Sequence, residues 1–211
     1  MPHFSPKDLN DMHHLYRINL INSCSGYKSA NLIGTKSSKE ISNVAIFSSV
    51  THIGSEPALL GFFLRPKTVI RNTYDNIKET GTFTINHIHE SILQDAHHTS
   101  AKYAATVSEF DFTQLEEDYK NNFFAPFVKN SPVQMAMTYM EEYLIKANGT
   151  ILLIGAIQDL YIEDTLLKKD GFVNLSEANV VAINGIDGYT LPKLKTRMEY
   201  QRPKDISEIN K

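Results

Sequence analysis

The sequence has one cysteine, no tryptophan and no long hydrophobic run. Because a lone cysteine cannot form an intramolecular disulfide, Cys24 favours a reducing compartment and excludes a disulfide-stabilised fold. No stretch approaches the roughly 18 apolar residues of a membrane helix, and the first residues lack the basic and apolar segments of a secretory signal. We therefore expect a cytoplasmic protein without a membrane-spanning segment.

An excess of positive charge is also missing. The 21 basic and 24 acidic side chains give a formal net charge of -3, whereas a nucleic-acid-binding protein usually carries a basic surface. We therefore expect no nucleic-acid partner, and any anion that binds must be held by a local site.

Three common motifs for nucleotide binding or nucleophilic catalysis are absent. No G-x-G-x-x-G segment follows a strand, and neither a G-x-x-x-x-G-K-[ST] loop nor a G-x-S-x-G elbow is found. These absences exclude a dedicated dinucleotide-binding βαβ unit, a P-loop and a serine hydrolase of the elbow type.

The chain does contain many strand signals. With 211 residues, 42% of them hydrophobic, it can bury the core of one large domain. Few helices are expected, which favours an antiparallel, closed or partly closed β-barrel over a parallel βαβ sheet. We expect a single domain over residues 1–211, with a core at about 15–165 and a C-terminal extension at about 166–211. Apolar segments bounded by Gly, Ser or Asn predict strands at residues 16–23, 30–36, 44–49, 59–64, 83–86, 133–140, 142–147 and 151–161.

One amphipathic helix is predicted between Thr68 and Gly81. Thr68 has the side-chain oxygen of an N-cap, apolar residues follow at helical spacing, and Gly81 suits a left-handed C-cap. Arg65 and Lys67 lie just before this helix start, which also exposes N–H groups and partial positive charge. The segment therefore favours a bound anion.

A second anion-binding segment consists of Ser48, Ser49 and Thr51, which precede the apolar run at residues 59–64. Hydroxyl and backbone donors near two basic side chains predict a phosphate-sized site. The alternative is an ordinary strand-loop-helix connection whose polar residues face solvent.

The histidines raise the alternative of a metal site. His87 and His89 would share one face of a strand and could reach a single ion. His97 and His98 are adjacent and would diverge, and no H-E-x-x-H pattern completes a set of ligands. A His-dependent metal-binding enzyme is therefore the less favoured hypothesis, and we predict no metal.

Several segments, in order, resemble the blocks of the flavin reductase-like, FMN-binding split-barrel family. They are the strand and hydroxyl loop at residues 43–51, the proline-containing turn at 56–59, the helix entrance at 65–68 and the strand at 79–86. Later segments at 100–103, 109–110, 148–150, 185–189 and 200–203 look like blocks of one branch. The resemblance implies a mainly β fold with peripheral helices, built as a Greek-key antiparallel split barrel.

The resemblance also implies where FMN binds. The isoalloxazine would lie beside the strand at 43–47, largely against main-chain groups, with the ribityl and phosphate end at the hydroxyl loop and helix entrance. Asn86 and His87 would add polar contacts to flavin or nicotinamide, although Asn86 could instead make a strand-end hydrogen bond. The implied cofactor-binding residues are Asn43, Ala45, Ile46, Phe47, Ser48, Ser49, Thr51, Arg65, Lys67, Thr68, Asn86, His87 and Tyr103.

The activity that the resemblance implies is reduction of FMN by NADH or NADPH, with hydride passing from nicotinamide to the flavin. No catalytic acid or base is assigned, because the cofactor carries this chemistry. Family members are typically homodimers, and the reduced flavin could serve a partner oxygenase. A non-catalytic FMN-binding or sensing protein on the same scaffold is the alternative.

Overall fold

The computed structural model describes residues 1–66, 68 and 71–203. Every pair of named strands in this part of the chain is antiparallel, as predicted. The α-helices are α1 (Pro6–Asp11), α2 (His14–Cys24), α3 (Asn72–Thr80) and α4 (Leu93–His98), and 3₁₀ turns lie at Glu90–Ile92, Glu109–Phe112 and Leu175–Ala178. The strands are β1 (Tyr27–Ser29), β2 (Asn31–Lys36), β3 (Ser42–Phe47), β4 (Thr51–Ser55), β5 (Ala58–Leu64), β6 (Thr82–His87), β7 (Glu117–Asp118), β8 (Phe127–Val128), β9 (Val133–Ile145), β10 (Thr150–Ile162), β11 (Ala182–Asn184) and β12 (Gly188–Thr190).

The largest sheet has seven strands in the order β3-β2-β6-β9-β10-β5-β4. Its edge strands β3 and β4 follow each other in sequence, with only residues 48–50 between them. The chain from Phe47 to Thr51 can span about 14 Å, whereas the edges of seven flat strands would be about 29 Å apart. The sheet must therefore curl into a barrel that stays open between β3 and β4, which is the predicted split barrel.

Side chains of one sheet face fill the barrel. The Phe62 ring lies between Phe47 and Phe83, with ring centroids 5.0 and 5.7 Å apart. Helix α3 covers this core with Tyr74 and Ile77, both buried as predicted. The opposite face of β2 and β3 forms a second core, whose buried members are Ala30, Leu32, Val44, Ile88, Ala96, Phe110, Leu115, Val128, Val181 and Ile183.

The prediction of a strand at residues 16–23 is wrong, because these residues belong to α2. A short apolar run does not distinguish a strand from a helix by its pattern alone. In α2 no residue is buried, and the backbone hydrogen bonds are made within the helix rather than with a neighbouring strand. Two polar side chains, Asn22 and Ser23, also bond to carbonyl groups one turn earlier.

The predicted N-cap of α3 is also wrong. The helix begins at Asn72 after Arg71, which makes no side-chain capping bond, and Thr68 is an exposed turn residue. Val69 and Ile70, the first apolar positions of the predicted stripe, lie outside the described residues. The predicted C-cap is confirmed, since Gly81 has φ 72° and donates its N–H to the Ile77 carbonyl at 2.8 Å.

The two predicted strands at 133–140 and 142–147 form one strand, β9. Opposite Ile154 and Gly155 of β10, its register passes from Glu141 to Tyr139, so Met140 is an extra residue in a β-bulge. The predicted turn after β9 is confirmed, because Gly149 adopts φ 73° at the hairpin. Among the described residues, no helix is long and apolar enough to cross a membrane.

Candidate functional site

The hydroxyl loop, residues 48–51, lies at the open side of the barrel, where the chain passes from β3 to β4. Within it, the Ser49 hydroxyl accepts a hydrogen bond from the Phe63 N–H at 3.0 Å and donates one to the Phe63 carbonyl at 3.1 Å. These two bonds hold the loop against β5. The Ser48 and Thr51 hydroxyls make no hydrogen bond with another described residue.

Arg65 follows β5 directly, two residues beyond Phe63. Because two residues of extended chain span about 7 Å, the bonds between Ser49 and Phe63 bring the hydroxyl loop and Arg65 to one corner. The Arg65 side chain is exposed and forms no ion pair within the described ranges. The structure therefore places Arg65, from one predicted anion-binding segment, close to the hydroxyl loop, which is the other.

Arg71 is a candidate that sequence reasoning missed. It precedes the first turn of α3, and its Nε is buried without a hydrogen-bond partner in the described part of the chain. Leaving a buried N–H of a charged group unpaired is costly, so an anion at this helix start would be stabilised by it. A signal was present in the sequence, because Arg71 is the third basic residue after β5.

Two predicted residues of the helix entrance have different outcomes. Lys67 lies outside the described residues. Thr68 is described and exposed in a turn, and it makes no hydrogen bond with the rest of the described chain. Phosphate binding by either residue stays a prediction.

Strand β3 offers main-chain groups rather than side chains to a ligand. The Phe47 ring packs edge-on against Phe62 in the barrel core, and Ile46 packs into the second core on the opposite face. Ala45 is half-buried and small. Because β3 is an edge strand, alternate N–H and carbonyl groups point away from β2. The Val44 N–H points away from β2, and because the direction alternates along a strand, the Ile46 N–H does so too.

Asn43 belongs to a buried hydrogen-bond network. Its Oδ1 accepts hydrogen bonds from the hydroxyls of Thr35 (3.3 Å) and Thr73 (3.1 Å), and its Nδ2 donates to Glu109 Oε2. The same carboxylate oxygen accepts the Val44 N–H at 3.2 Å. Burial raises the pKa of the Glu109 carboxyl, although the bonds from Asn43 and the backbone oppose that effect. The Asn43 side chain therefore supports β3, and by alternation with Val44 its main-chain groups face β2.

Asn86 is fully buried and its amide is occupied within the protein. Its Nδ2 donates to the Leu32 carbonyl at 3.2 Å and to Thr84 Oγ1 at 2.9 Å, while its Oδ1 accepts the Val128 N–H at 3.0 Å. This geometry favours the strand-end role that the sequence left as the alternative to flavin contact.

His87 is the last residue of β6 and lies on the barrel side of the sheet. Its Nδ1 is buried without a partner in the described part of the chain, and burial lowers the pKa of the ring to about 4. The imidazole is therefore neutral near pH 7. A neutral ring can donate through one nitrogen and accept through the other.

Tyr103 and the paired histidines of α4 form contacts elsewhere. The Tyr103 hydroxyl bonds to His98 Nε2 at 2.7 Å, and its ring stacks on Phe112 with centroids 4.9 Å apart. His97 instead bonds through Nδ1 to the Tyr189 hydroxyl at 2.8 Å. No described contact joins Tyr103 to the hydroxyl loop, so its place in a flavin site stays a prediction.

The histidines do not assemble into a metal site in the described part of the chain. No group of three or more His, Cys, Asp or Glu side chains there could hold an ion. A groove of about 630 Å³ lies elsewhere, and it contains none of the predicted cofactor residues. It is lined by Asp118, Lys120, Lys129, Asn130, Ser131, Pro132, Gln134, Tyr161, Ile162 and Glu163.

Residues 26–176 match the model of the flavin reductase like domain. The chain belongs to the flavin reductase-like family. This membership makes the protein a flavin-related oxidoreductase, and comparison with curated proteins gives no match.

Solved structures agree with the family. A proposed flavin reductase with a split barrel domain from Shewanella frigidimarina NCIMB 400 is 41% identical, with a TM-score of 0.92 over 95% of this chain and 100% of the other. Component B of nitrilotriacetate monooxygenase from Bacillus cereus is 17% identical, with a TM-score of 0.81 over 94% and 98%. An FMN-binding protein from Thermus thermophilus is 15% identical, with a TM-score of 0.69 over 84% and 93%. The last two likenesses show the fold alone.

Proposed function

We propose that this flavin reductase-like protein binds FMN and reduces it with NADH or NADPH. The observation that carries the proposal is the corner at the open side of the barrel. There the bonds between Ser49 and Phe63 bring hydroxyl groups near Arg65, which forms no ion pair with any other described residue. Such a cluster suits a phosphate dianion, because hydrogen bonds from charged donors are stronger than those from neutral ones.

The anionic end of FMN fits the residues at this corner. Arg65 and Arg71 would hold the phosphate, since among the described residues Arg65 has no ion pair and the buried Nε of Arg71 has no acceptor. The Ser48 and Thr51 hydroxyls would bind the ribityl chain. Lys67 and Thr68 would add to the phosphate end, as the family resemblance implies.

The ring end fits the outer edge of β3. Main-chain groups of Ile46 point away from β2 and could hydrogen-bond to the isoalloxazine, while Ala45 leaves space beside them. When bound, FMN supplies a ring that accepts hydride and passes electrons on. The chain supplies orientation and a phosphate anchor, and it needs no acid or base of its own for that step.

A homodimer is part of the proposal. Helix α2 has no buried residue, and its Leu15, Tyr16 and Ile21 side chains are 62%, 56% and 51% exposed. Large apolar side chains exposed along one helix favour a covering partner, and a second copy would supply one. Sedimentation of the purified protein should give a dimer mass, and a monomer at micromolar concentration would contradict this part.

The acceptor of the reduced flavin is proposed from the structural likeness alone. Component B of a monooxygenase shares the fold, so a cytoplasmic partner oxygenase is a candidate consumer. The likeness to an FMN-binding protein favours the alternative of a non-catalytic carrier. Turnover distinguishes them, because a carrier would bind FMN without consuming NADH or NADPH.

The phosphate assignment is tested by comparing FMN with riboflavin, which lacks the phosphate. Arg65→Ala should weaken FMN binding by about tenfold or more, because a charge-assisted bond contributes roughly 1.5–3 kcal/mol. Riboflavin binding should change little. Fluorescence titration of both flavins measures this, and Lys169→Ala, which removes an exposed charge elsewhere, is the matched control. Equal weakening of the two flavins would refute the phosphate role.

Catalysis is tested with the same protein. We expect flavin absorbance in the purified protein or after FMN is added, and FMN-dependent oxidation of NADH or NADPH. Absence of both binding and oxidation would refute the proposed function, while binding without oxidation would establish the carrier.

A further inference from the structure

Two residues that each carry a buried polar atom are direct neighbours across the sheet. Asn31 of β2 and His87 of β6 are directly opposite in the strand register. Asn31 Oδ1 and His87 Nδ1 are both buried without a hydrogen-bond partner in the described part of the chain. Residues directly opposite in an antiparallel pair have Cβ atoms about 4.5–5.5 Å apart, so a direct hydrogen bond can join the two side chains.

The orientation of the Asn31 amide follows from its other contact. Its Nδ2 donates to the Ser29 hydroxyl at 2.9 Å, and that hydroxyl donates to the Val50 carbonyl at 3.4 Å. Since the hydroxyl proton is used by Val50, Ser29 must accept from the amide nitrogen. Oδ1 is therefore the free atom of the amide, and it can only accept a hydrogen bond.

An acceptor at this position determines the tautomer of His87. A neutral imidazole carries one proton, and the partner of one nitrogen decides which nitrogen holds it. Asn31 Oδ1 requires the proton on Nδ1, which satisfies both buried atoms. Nε2 then has no proton and is an acceptor. His87 is only half-buried.

His87 is also in reach of the ring that the proposed function places beside β3. Phe47 is opposite Asn31, which is opposite His87, so the three residues form one row across three strands. Two strand spacings separate its ends by about 10 Å, roughly the length of a tricyclic ring. The hydrogen bonds from Asn31 to Ser29 and from Ser29 to Val50 also connect this row to the hydroxyl loop, because Val50 belongs to that loop.

We propose that Asn31 is a positioning residue that holds His87 as the Nδ1–H tautomer, so that Nε2 accepts a hydrogen bond from a ring-bound amide or imide N–H of the ligand. This proposal rests on the proposed function for the ligand. Two N–H groups share the required chemistry, namely the imide of the isoalloxazine and the carboxamide of nicotinamide.

The first test needs no ligand, so it stays informative if the proposed function fails. Heteronuclear NMR of isotope-labelled histidine distinguishes protonated from unprotonated ring nitrogens, and the His87 signal is assigned by its loss in His87→Gln. We expect Nδ1–H in the wild-type protein, and loss of that dominant form in Asn31→Leu. An Nε2–H ring in the wild type, or an unchanged ring in a folded Asn31→Leu, would overturn the proposal. If Asn31→Leu does not fold, the wild-type measurement alone decides.

The second test identifies the N–H donor. His87→Phe keeps a ring but removes the acceptor, so the affected step should lose about fivefold. A higher FMN dissociation constant with unchanged KM for the nicotinamide nucleotide indicates the flavin imide, and the reverse indicates the carboxamide. If neither constant changes in a folded protein that binds and turns over FMN, the proposed contact is refuted.

Discussion

Replacing Glu109 is the strongest test of how the β3 edge is held. Its carboxylate accepts the Val44 N–H and the Asn43 amide, and Glu109 itself is only 4% exposed. In Glu109→Ala both donors stay buried without an acceptor. Each such loss costs about 1–3 kcal/mol, so we expect the free energy of unfolding to fall by about 2–5 kcal/mol.

Glu109→Gln separates hydrogen bonding from charge. Glutamine keeps one acceptor oxygen at the same position and carries no charge, so it should recover most of the stability that alanine loses. The wild-type carboxyl has a raised folded-state pKa because of burial. The favourable contribution of this carboxyl to the free energy of unfolding is therefore fully present below its unfolded-state pKa of about 4.5. It is lost as the pH rises through the higher folded-state pKa.

Urea unfolding of the three proteins measures both effects. Between about pH 4 and pH 8 the stability of Glu109→Gln relative to wild type should increase. A loss below about 0.5 kcal/mol in Glu109→Ala would show that the buried donors find other acceptors. Parallel pH profiles for Glu109→Gln and wild type would refute the raised pKa.

Two further predictions concern the barrel wall. Ser49→Ala should lower the free energy of unfolding by about 1–2 kcal/mol, because two bonds to Phe63 are lost. Ser48→Ala removes a hydroxyl with no described hydrogen-bond partner, so it should change this free energy by no more than about 0.5 kcal/mol. Equal effects of the two variants in denaturant titrations would contradict the assigned bonds. Gly34→Ala should cost about 3 kcal/mol, because its Cβ would press on the Pro126 carbonyl and lie 2.6 Å from Thr84 Oγ1. Gly54→Ala, which meets only the Pro57 carbonyl at 3.3 Å, should lower the thermal midpoint far less, and similar shifts would argue against close packing at Gly34.

Much of the β fold could be predicted from local patterns. The apolar runs at 30–36, 59–64 and 83–86 correspond to β2, β5 and β6, and Gly81 and Gly149 take the left-handed conformations expected of them. These features depend on residue type within a few positions, so the sequence shows them directly. The segment at 16–23 failed because a short apolar run suits either a strand or a helix.

The candidate site could be predicted only in part. The residue types of the hydroxyl loop and of Arg65 indicated an anion site, and the family model agrees with a flavin-related chain. The division into a core and a C-terminal extension, and the roles of individual site residues, stay predictions. Arg71 was missed because its importance depends on a buried Nε rather than on its residue type.

The sequence by itself determined the strand-rich composition, the main turns and the kinds of groups available to bind an anion. Only the tertiary structure decided which distant groups meet. Glu109 reaches Val44 across 65 residues, and the register places Asn31 opposite His87. The physical reason is closure of the sheet. Residues 48–50 must join the two edges of the seven-stranded sheet, and the curl that this requires determines which distant residues become neighbours, which no local pattern can specify.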